Sequence, residues 1–380
     1  MNFEELYNNL TIDFPLLSKL SDTEQDSVWH SEGNVYIHTK MVYNEIINII
    51  NEYDINDDDK EVLLISAVLH DIGKPIVTKE KELDDRIAIV SPKHEYIGMS
   101  YIFHKIQNLN LKNEQIEKIL GIVGYHNLPK LYTIDNKSKW KFINLSTKAP
   151  TELLYLFEIA DIKGRICPDK EYQLEILELF KMYCLEYECF SKNILKRPSF
   201  YDNEYLDSKT YKALLNNEIF MPEEGEQKYY SHKEKYSNLI ILTGLSGVGK
   251  SYFIEKQYPD YYLISLDNIR DDFNKREDLS NEGQVRQEAK RILKEKLAAK
   301  ENIIYDATNI RRDFRKQIID LGNQYHALVK TICLTDKINN ILKRNKDRKY
   351  AIPDSTILKQ EQKFEFPEKD EADNSIIIFK

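Results

Sequence analysis

The stretch Gly244-Leu245-Ser246-Gly247-Val248-Gly249-Lys250-Ser251 decides the fold of the C-terminal half. It follows the apolar run Leu239-Ile240-Ile241-Leu242 and leads into a segment that can continue as a helix. This strand–loop–helix order is the context of a phosphate-binding P-loop, whose glycines let backbone N–H groups curl around a phosphate chain. We expect Lys250 to reach the β and γ phosphates of a nucleoside triphosphate and the Ser251 hydroxyl to ligate Mg²⁺. The alternative is a glycine-rich turn without a ligand.

Short apolar runs alternate with helical stretches after this loop. The runs lie at 261–265, 302–305, 327–334 and 376–379, with helical patterns at 284–300 and 313–321 between them. Such alternation predicts a parallel sheet covered on both faces by helices. Ligands of such sheets bind at the carboxyl ends of the strands, so we expect functional residues just past each run.

Charged residues stand at these positions. Asp267 and Arg270 follow the second strand, Asp306-Ala307-Thr308-Asn309 follows the third, and Arg344 and Arg348 lie four residues apart after the fourth. Phosphoryl transfer needs a carboxylate to accept the proton of the attacking hydroxyl and cations to neutralise the transition state. Asp267 fits the first role and the arginine pair fits the second. The alternatives are an aspartate that caps a helix and a solvated basic helix.

The N-terminal half, residues 1–195, shows apolar residues at helical spacing, and 86–90 is its one candidate strand. Histidines and aspartates recur on or beside these apolar stripes: His38, His70, Asp71, His94, His126 and Asp161. A single histidine on an apolar face is usually a hydrogen-bonded core residue. Imidazole and carboxylate groups on successive helices, however, form a ligand set for transition metals, which helical bundles hold between facing helices.

Composition sets the limits of these interpretations. At 380 residues, with 42% hydrophobic and 31% charged residues, the chain predicts a soluble globular protein of two or three domains. We place the domains at 1–195 and 237–380, with a surface connector at 196–236 that carries no chemistry. The sequence lacks a membrane-spanning run and a basic, apolar leader, and its four cysteines form no C-x-x-C pair. We therefore expect a cytoplasmic protein with buried, reduced thiols and no membrane partner.

The N-terminal half resembles the HD-domain metal phosphohydrolases, whose signature H…HD…D matches His38, His70-Asp71 and Asp161. His94 and His126 match the two extra histidines of the two-metal members. The resemblance implies two divalent transition metals of the manganese, nickel, cobalt, copper or iron class, bridged by Asp71. Lys74 and Arg165 would balance phosphate charge, with a solvated surface position as the alternative for each.

The C-terminal half resembles the kinase domain of polynucleotide 5′-kinases, in the adenylate-kinase-like branch of P-loop proteins. The matching features are the P-loop, the D-x-x-R of Asp267 and Arg270, the D-x-T-N of Asp306 to Asn309, and an arginine-bearing lid. The resemblance implies that Asp267 is the general base and that Arg270 holds a substrate phosphate. Arg344 and Arg348 would contact the phosphates of ATP, with Arg312 in the same neighbourhood.

Together the halves resemble the bacterial HD-domain polynucleotide kinases, which heal broken nucleic-acid ends. This implies an all-α HD phosphohydrolase followed by a parallel-sheet kinase, using ATP and Mg²⁺ on the 5′-hydroxyl ends of RNA or DNA. The HD domain would process a 2′,3′-cyclic phosphate or a 2′-phosphate, and a nucleic-acid ligase would act next. Two alternatives stay open: a nucleotide phosphohydrolase fused to a nucleoside or metabolite kinase, and a regulatory module that binds nucleotide without turnover.

Overall fold

The structure, a computed structural model, describes residues 2–84, 86–272, 282–348 and 350–380. The chain divides into two compact units, Met1–Arg197 and Pro198–Lys380. The helices of the first unit are α1 (Phe3–Asp13), α2 (Val35–Glu52), α3 (Asp57–Leu69), α4 (Lys74–Val77), α5 (His94–Lys105), α6 (Asn113–Tyr125), α7 (Leu128–Ile134), α8 (Lys139–Ser146), α9 (Thr151–Lys163) and α10 (Lys170–Glu186). Its strands β1 (Lys79–Glu82) and β2 (Ile87–Val90) form an antiparallel hairpin.

Four helices form the centre of the first unit. Helix α2 contacts α3 and α9, and α6 contacts the same two helices. The apolar stripe of α2 is fully buried at Val42 and Ile46. This helix begins earlier than its apolar stripe indicates, because the Asn34 side chain accepts a hydrogen bond from the N–H of Ile37 and caps the helix. His38 therefore lies within the first turn of α2.

The second unit contains helices on a parallel sheet. Its helices are α11 (Glu204–Leu215), α12 (Glu223–Tyr229), α13 (Lys250–Gln257), α14 (Leu266–Asp272), α15 (Glu282–Ala298), α16 (Arg312–Gln324), α17 (Ile338–Lys346) and α18 (Asp354–Gln362). Its strands are β3 (Asn238–Thr243), β4 (Tyr262–Ser265), β5 (Ile303–Asp306), β6 (Leu328–Thr335) and β7 (Asn374–Phe379).

The five strands pair in the order β4-β5-β3-β6-β7, and every pairing is parallel. Leu239 and Ile241 of β3 project from the same face of the sheet and pack in one apolar cluster with Ala289 and Leu293 of α15. All five apolar runs predicted as strands form this sheet. The predicted combination of an all-α half and a parallel-sheet half is confirmed.

The segment predicted as a surface connector, 196–236, is more ordered than its composition indicated. It contains α11 and α12, and α11 buries Tyr205, Leu206 and Leu214 within the second unit. The Asn203 side chain caps α11 by accepting a hydrogen bond from the N–H of Leu206. The sequence pattern indicates a short helix at 208–215 within this segment, and the observed helix begins one turn earlier, at Glu204.

Two further expectations concern membrane-spanning helices and the state of the cysteines. Across the described ranges, we find no helix with both the length and the apolar character needed to cross a membrane. All four cysteines are free thiols, of which Cys184, Cys189 and Cys333 are buried and Cys167 is partly buried.

Gly73 allows two elements of the first unit to approach closely. A Cβ atom at this position would lie 2.1 Å from the carbonyl oxygen of His94 and 2.7 Å from the backbone nitrogen of Gly98. The residue directly after His70-Asp71-Ile72 must therefore be glycine for α5 to pack against it. This contact sets the separation between Asp71 and His94.

We expect Gly73→Ala to destabilise the first unit by about 1–3 kcal/mol, because the added methyl overpacks a backbone contact. Urea denaturation followed by circular dichroism measures the change. Gly283→Ala, in helix α15 of the second unit, is the control for the substitution itself, since a methyl there meets no described heavy atom within 4 Å and a helix favours alanine over glycine. Equal stability of the Gly73→Ala protein and the unaltered protein would contradict this packing argument.

Candidate functional site

Six side chains from five helical segments meet inside the first unit, with Asp71 at the centre. One carboxylate oxygen of Asp71, Oδ2, lies 3.2 Å from Nε2 of His70 and 3.7 Å from Nε2 of His38. The other oxygen, Oδ1, lies 3.1 Å from Nε2 of His94. Because its two oxygens face different histidines, Asp71 stands between two sets of ligand atoms.

The two sets are compact enough to hold cations. The ligand atoms of His38, His70 and Asp71 lie within 4.8 Å of one another, and the same holds for Asp71, His94 and His126. Asp161 joins the first set, since its Oδ1 lies 2.9 Å from Nε2 of His38 and 3.9 Å from Nε2 of His70. The structure thus brings together all six residues that the sequence singled out as ligands for transition metals.

Hydrogen bonds fix the orientation of the imidazole rings. Nδ1 of His70, His94 and His126 lies 2.9–3.1 Å from the backbone carbonyl oxygens of Ala67, Ser91 and Val123, respectively. A ring that donates from Nδ1 presents the lone pair of Nε2 on its other side, which is how histidine binds metals in proteins. Nε2 of His70 is buried and has no hydrogen-bond partner in the described part of the chain. An imidazole lone pair facing a carboxylate oxygen fits a bound transition-metal cation.

The P-loop of the second unit adopts the conformation that its glycines permit. Gly247 (φ +86°) and Gly249 (φ +98°) lie in the left-handed region, which other residues rarely adopt. Lys250 begins α13 and folds back, donating hydrogen bonds to the carbonyl oxygens of Gly244 (3.0 Å) and Leu245 (3.1 Å). Ser251 follows in the first turn, so the start of α13 presents its backbone N–H groups toward the loop.

Charged side chains surround the Lys250 ammonium. The charges of Asp306, Arg348 and Asp267 all act on it. Asp306 ends β5, directly beside Leu242 of β3, and its Oδ1 is buried without a hydrogen-bond partner among the described residues. Burial lowers the pKa of Lys250 and raises the pKa of Asp306, and the attraction between them opposes both shifts. The carboxylate of Asp306 thus acts on the Lys250 ammonium beside the loop.

Comparisons with known families identify both units. Residues 35–163 match the HD domain family, and residues 239–367 match an AAA domain family of P-loop proteins. The chain joins an HD domain to a P-loop kinase domain.

Two individual proteins are similar to parts of the chain. An L-seryl-tRNA(Sec) kinase from Methanococcus maripaludis is 32% identical over 136 residues, which make up 34% of this chain and 53% of that protein. The chain therefore spans about half the length of this relative. A gluconokinase of known crystal structure from Sinorhizobium meliloti is 18% identical, and the match covers 38% of this chain and 83% of that one with a TM-score of 0.30.

The electrostatics of the HD domain keep Asp71 and Asp161 ionised. Burial alone would raise the pKa of Asp71, but the charges of His70 and Lys74 hold it well below its ordinary value. Asp161 behaves in the same way, because Arg165 outweighs the effect of burial. Burial lowers the pKa of His126 to about 3. Anionic Asp71, anionic Asp161 and neutral His126 are in the protonation states that metal binding requires.

The two predicted cations of the HD domain lie beside these carboxylates. Nζ of Lys74 is 2.7 Å from Oδ2 of Asp71, and NH2 of Arg165 is 2.6 Å from Oδ2 of Asp161. Their side chains are only 8% and 14% exposed, so neither is a solvated surface group. Both are positioned to contact an anion at the cluster.

Sequence reasoning missed four polar residues of this site. Nδ1 of His38 lies 3.1 Å from Oε1 of Glu32 and 3.2 Å from the carbonyl oxygen of Gly164, and such contacts orient metal-binding histidines. The same Glu32 oxygen lies 2.8 Å from Nδ1 of His30. Lys130 pairs with Glu158 at 3.0 Å, and burial raises the pKa of Glu158 to about 7. His30 and Glu32 precede the HD signature without a recognisable spacing. Glu158 does lie one turn before Asp161 on the same helix, which is the one available signal.

The predicted catalytic residues of the P-loop domain have partners in this structure. Asp267 lies in α14 with a half-exposed side chain, and its Oδ1 is 2.5 Å from NH1 of Arg270. Arg270 also forms a two-armed pair with Glu282, with distances of 2.8–3.1 Å. A substrate phosphate would therefore have to compete with Glu282 for this guanidinium.

The other predicted arginines occupy different surroundings. Nε of Arg344 donates to the carbonyl oxygen of Gly247 (3.1 Å), while its NH1 pairs with Asp336 (2.7 Å). Arg344 thus holds the backbone of the P-loop through a hydrogen bond. Arg312 forms ion pairs with Glu368 (2.8 Å) and Glu371 (3.8 Å) at the start of α16. The sequence indicated only that these positions follow strands, and strand order alone does not say which acids reach them.

We expect the HD domain to bind about two transition-metal ions, as in other two-metal sites, and Asp71→Ala to remove both because this carboxylate serves both sets. His94→Ala should keep about one ion, since only one set loses a ligand. Plasma mass spectrometry of protein purified with Mn²⁺ measures the content. Asp54→Ala, an exposed change in the same domain, is the control. Unchanged metal content in Asp71→Ala would contradict the bridging arrangement.

Proposed function

We propose that this protein heals broken nucleic-acid ends with two separate activities. The P-loop domain would transfer the γ-phosphate of ATP to a 5′-hydroxyl end. The HD domain would hydrolyse a 2′,3′-cyclic phosphate or a 2′-phosphate at the other end. The observation that carries the proposal is the presence of two phosphate-handling sites in one chain, a buried histidine–aspartate cluster and a P-loop with a carboxylate beside it. A nucleic-acid ligase would use the resulting ends.

In the HD domain, the residues present fit divalent transition metals held by His38, His70, Asp71 and Asp161 on one side and by Asp71, His94 and His126 on the other. Such ions, when bound, supply a nucleophile from water at neutral pH and neutralise charge on the phosphate. The side chains supply orientation. The Nδ1 hydrogen bonds hold His70, His94 and His126 with Nε2 inward, and Glu32 does the same for His38.

The cationic side chains of the HD domain would bind the phosphate oxygens. Lys74 and Arg165 each pair with a carboxylate of the cluster at 2.6–2.7 Å, which places them at its edge. A substrate phosphate can share these donors without displacing the carboxylates, because an ammonium has three N–H donors and a guanidinium has five. Their burial strengthens the attraction, since screening by water is reduced there.

In the P-loop domain, phosphoryl transfer would depend on Lys250, Asp267 and the P-loop backbone. Lys250 would release the carbonyl oxygens of Gly244 and Leu245 and contact the β and γ phosphates. Asp267 would accept the proton of the attacking hydroxyl, leaving its pair with Arg270 as the substrate phosphate arrives. Ser251 and Asp306 would hold the Mg²⁺ ion that supports this transfer in P-loop enzymes. Arg348 would neutralise the transferred phosphate.

The choice of nucleic acid as substrate has one supporting comparison. The relative that is 32% identical over 136 residues is, by its name, a kinase of L-seryl-tRNA(Sec), a substrate built on RNA. We therefore extend the proposal to an RNA substrate. A small-molecule acceptor such as a nucleoside is the competing possibility, and the following experiment separates the two.

The test uses a short RNA with a 5′-hydroxyl and a 2′,3′-cyclic phosphate, incubated with ATP, Mg²⁺ and Mn²⁺. Mass spectrometry should show one phosphate gained at the 5′ end and the cyclic phosphate opened or removed at the other. Parallel reactions contain free nucleosides or seryl-tRNA as acceptors. Consumption of ATP with a nucleoside or with seryl-tRNA, and an unchanged RNA end, would replace end healing with that other reaction.

We expect the two activities to separate by mutation. Asp267→Asn should lower 5′-phosphorylation by about 10²–10⁴-fold, the usual contribution of a general base, and leave phosphoesterase activity unchanged. Initial rates of both reactions on the same RNA measure the split. Asp260→Asn makes the same chemical change at an exposed position and serves as the control. Loss of both activities in a folded Asp267→Asn protein would contradict the assignment.

A further inference from the structure

A pocket in the HD domain lies next to the histidine–aspartate cluster. It has a volume of about 430 Å³ and is lined mainly by Gln25, Asp26, Asn34, Arg86, Ile87 and Ile89. These residues come from the segment that precedes α2 and from strand β2 of the hairpin. The volume falls within the usual range of sites for small organic groups.

A chain of two contacts connects the pocket to the cluster. Nζ of Lys74 donates to Oε1 of Gln25 at 2.6 Å, and the same Nζ is 2.7 Å from Oδ2 of Asp71. Gln25 is therefore both a wall of the pocket and a neighbour of the phosphate-binding cation. A group in the pocket would therefore lie close to a phosphate held by Lys74, with Gln25 between them.

Gln25 presents an unused donor at this wall. Its residue is only 8% exposed, and its Nε2 has no hydrogen-bond partner among the described residues. The ammonium of Lys74 can only donate, so the oxygen of the amide must face it and the NH₂ group must point elsewhere. A buried donor of this kind requires an acceptor, such as a carbonyl oxygen or a ring nitrogen of a ligand.

The remaining walls suit a flat ring. Ile87 and Ile89 alternate with Ala88 on β2, so their side chains project from the same face of the hairpin. Asp26 accepts from Arg86 at 2.6 Å and from the N–H of Ile89 at 3.2 Å, which fixes the hairpin to the opposite wall. The result is a slot with an apolar side and polar groups at its edges.

We propose that this pocket is the nucleobase subsite of the HD domain, occupied by the base of the nucleotide whose ribose phosphate reacts at the cluster. The proposal rests on the proposed phosphoesterase function and names the substrate group that this site recognises. A base offers flat apolar faces to Ile87 and Ile89, and every base carries an acceptor such as pyrimidine O2 or purine N3 for Gln25. In a nucleotide, one ribose lies between the base and the phosphate. In the protein, the ammonium of Lys74 lies between Gln25 of the pocket and the cluster.

The test compares two probes that differ only in the base, uridine 2′-phosphate and the 2′-phosphate of methyl riboside. Calorimetric titration of the full-length, EDTA-treated protein should show binding of the uridine probe that is tighter by about tenfold or more, the discrimination typical of one well-placed group. Ile87→Asp should reduce this ratio to nearly one, because a carboxylate replaces the apolar wall. Ile12→Asp, the same change at an 80% exposed position of α1, should keep the ratio.

The outcomes distinguish this proposal from the one on which it rests. Equal affinity for both probes, or no uridine binding, overturns the subsite. The corresponding 2′,3′-cyclic phosphates, given to the manganese-loaded protein, should show the same preference in KM. Hydrolysis of both with equal KM overturns the subsite and leaves the phosphoesterase intact, whereas hydrolysis of neither overturns the phosphoesterase. A further titration uses an oligonucleotide that ends in uridine. If it binds no more tightly than the mononucleotide, the pocket is assigned to free nucleotides; if it binds more tightly, the pocket is assigned to RNA ends.

Discussion

The charge of Asp71 is the constraint on which the HD domain depends. A buried carboxylate is costly unless cations or donors compensate it, and removal of one partner leaves an uncompensated charge. Asp71 is 1% exposed, and the ammonium of Lys74, one turn further along the chain, lies 2.7 Å from its carboxylate and compensates its charge. Nε2 of His70 and Nε2 of His94 lie 3.2 Å and 3.1 Å from the two oxygens of the same carboxylate.

The P-loop domain solves the opposite electrostatic problem. It must receive a polyanion, and so it collects donors: the backbone of a glycine loop, the start of α13 and the Lys250 ammonium. Asp306 and Asp267 balance the lysine while no phosphate is present, as their charges act on it. In both domains, cationic side chains interact with carboxylates of the protein, and a substrate phosphate would take the place of those carboxylates or share the cations with them. An aspartate anchors one site and a lysine anchors the other.

Residues that act through a neighbour were beyond the reach of the sequence. Glu32 supports His38, and Gln25 connects Lys74 to the pocket, but each lies in an irregular segment with no helical or alternating pattern. The hairpin partner β1 was missed for a related reason, because Lys79–Glu82 is a fully charged, exposed run without apolar alternation. Arg312 and Arg344 show the same limit, since their ion-pair partners Glu368 and Asp336 become neighbours only through the fold.

The sequence by itself determined the P-loop, the five strands of the parallel sheet and the six residues of the histidine–aspartate cluster. These features depend on residue type and short spacing: a glycine loop followed by lysine and serine, apolar runs of strand length, and polar residues on apolar helical stripes. Only the tertiary structure decided that Asp71 faces two sets of histidines, that Lys74 and Arg165 are buried beside carboxylates, and that a pocket opens behind Gln25. Those properties are distances between residues far apart in the chain, and they are set by how helices pack rather than by any local preference.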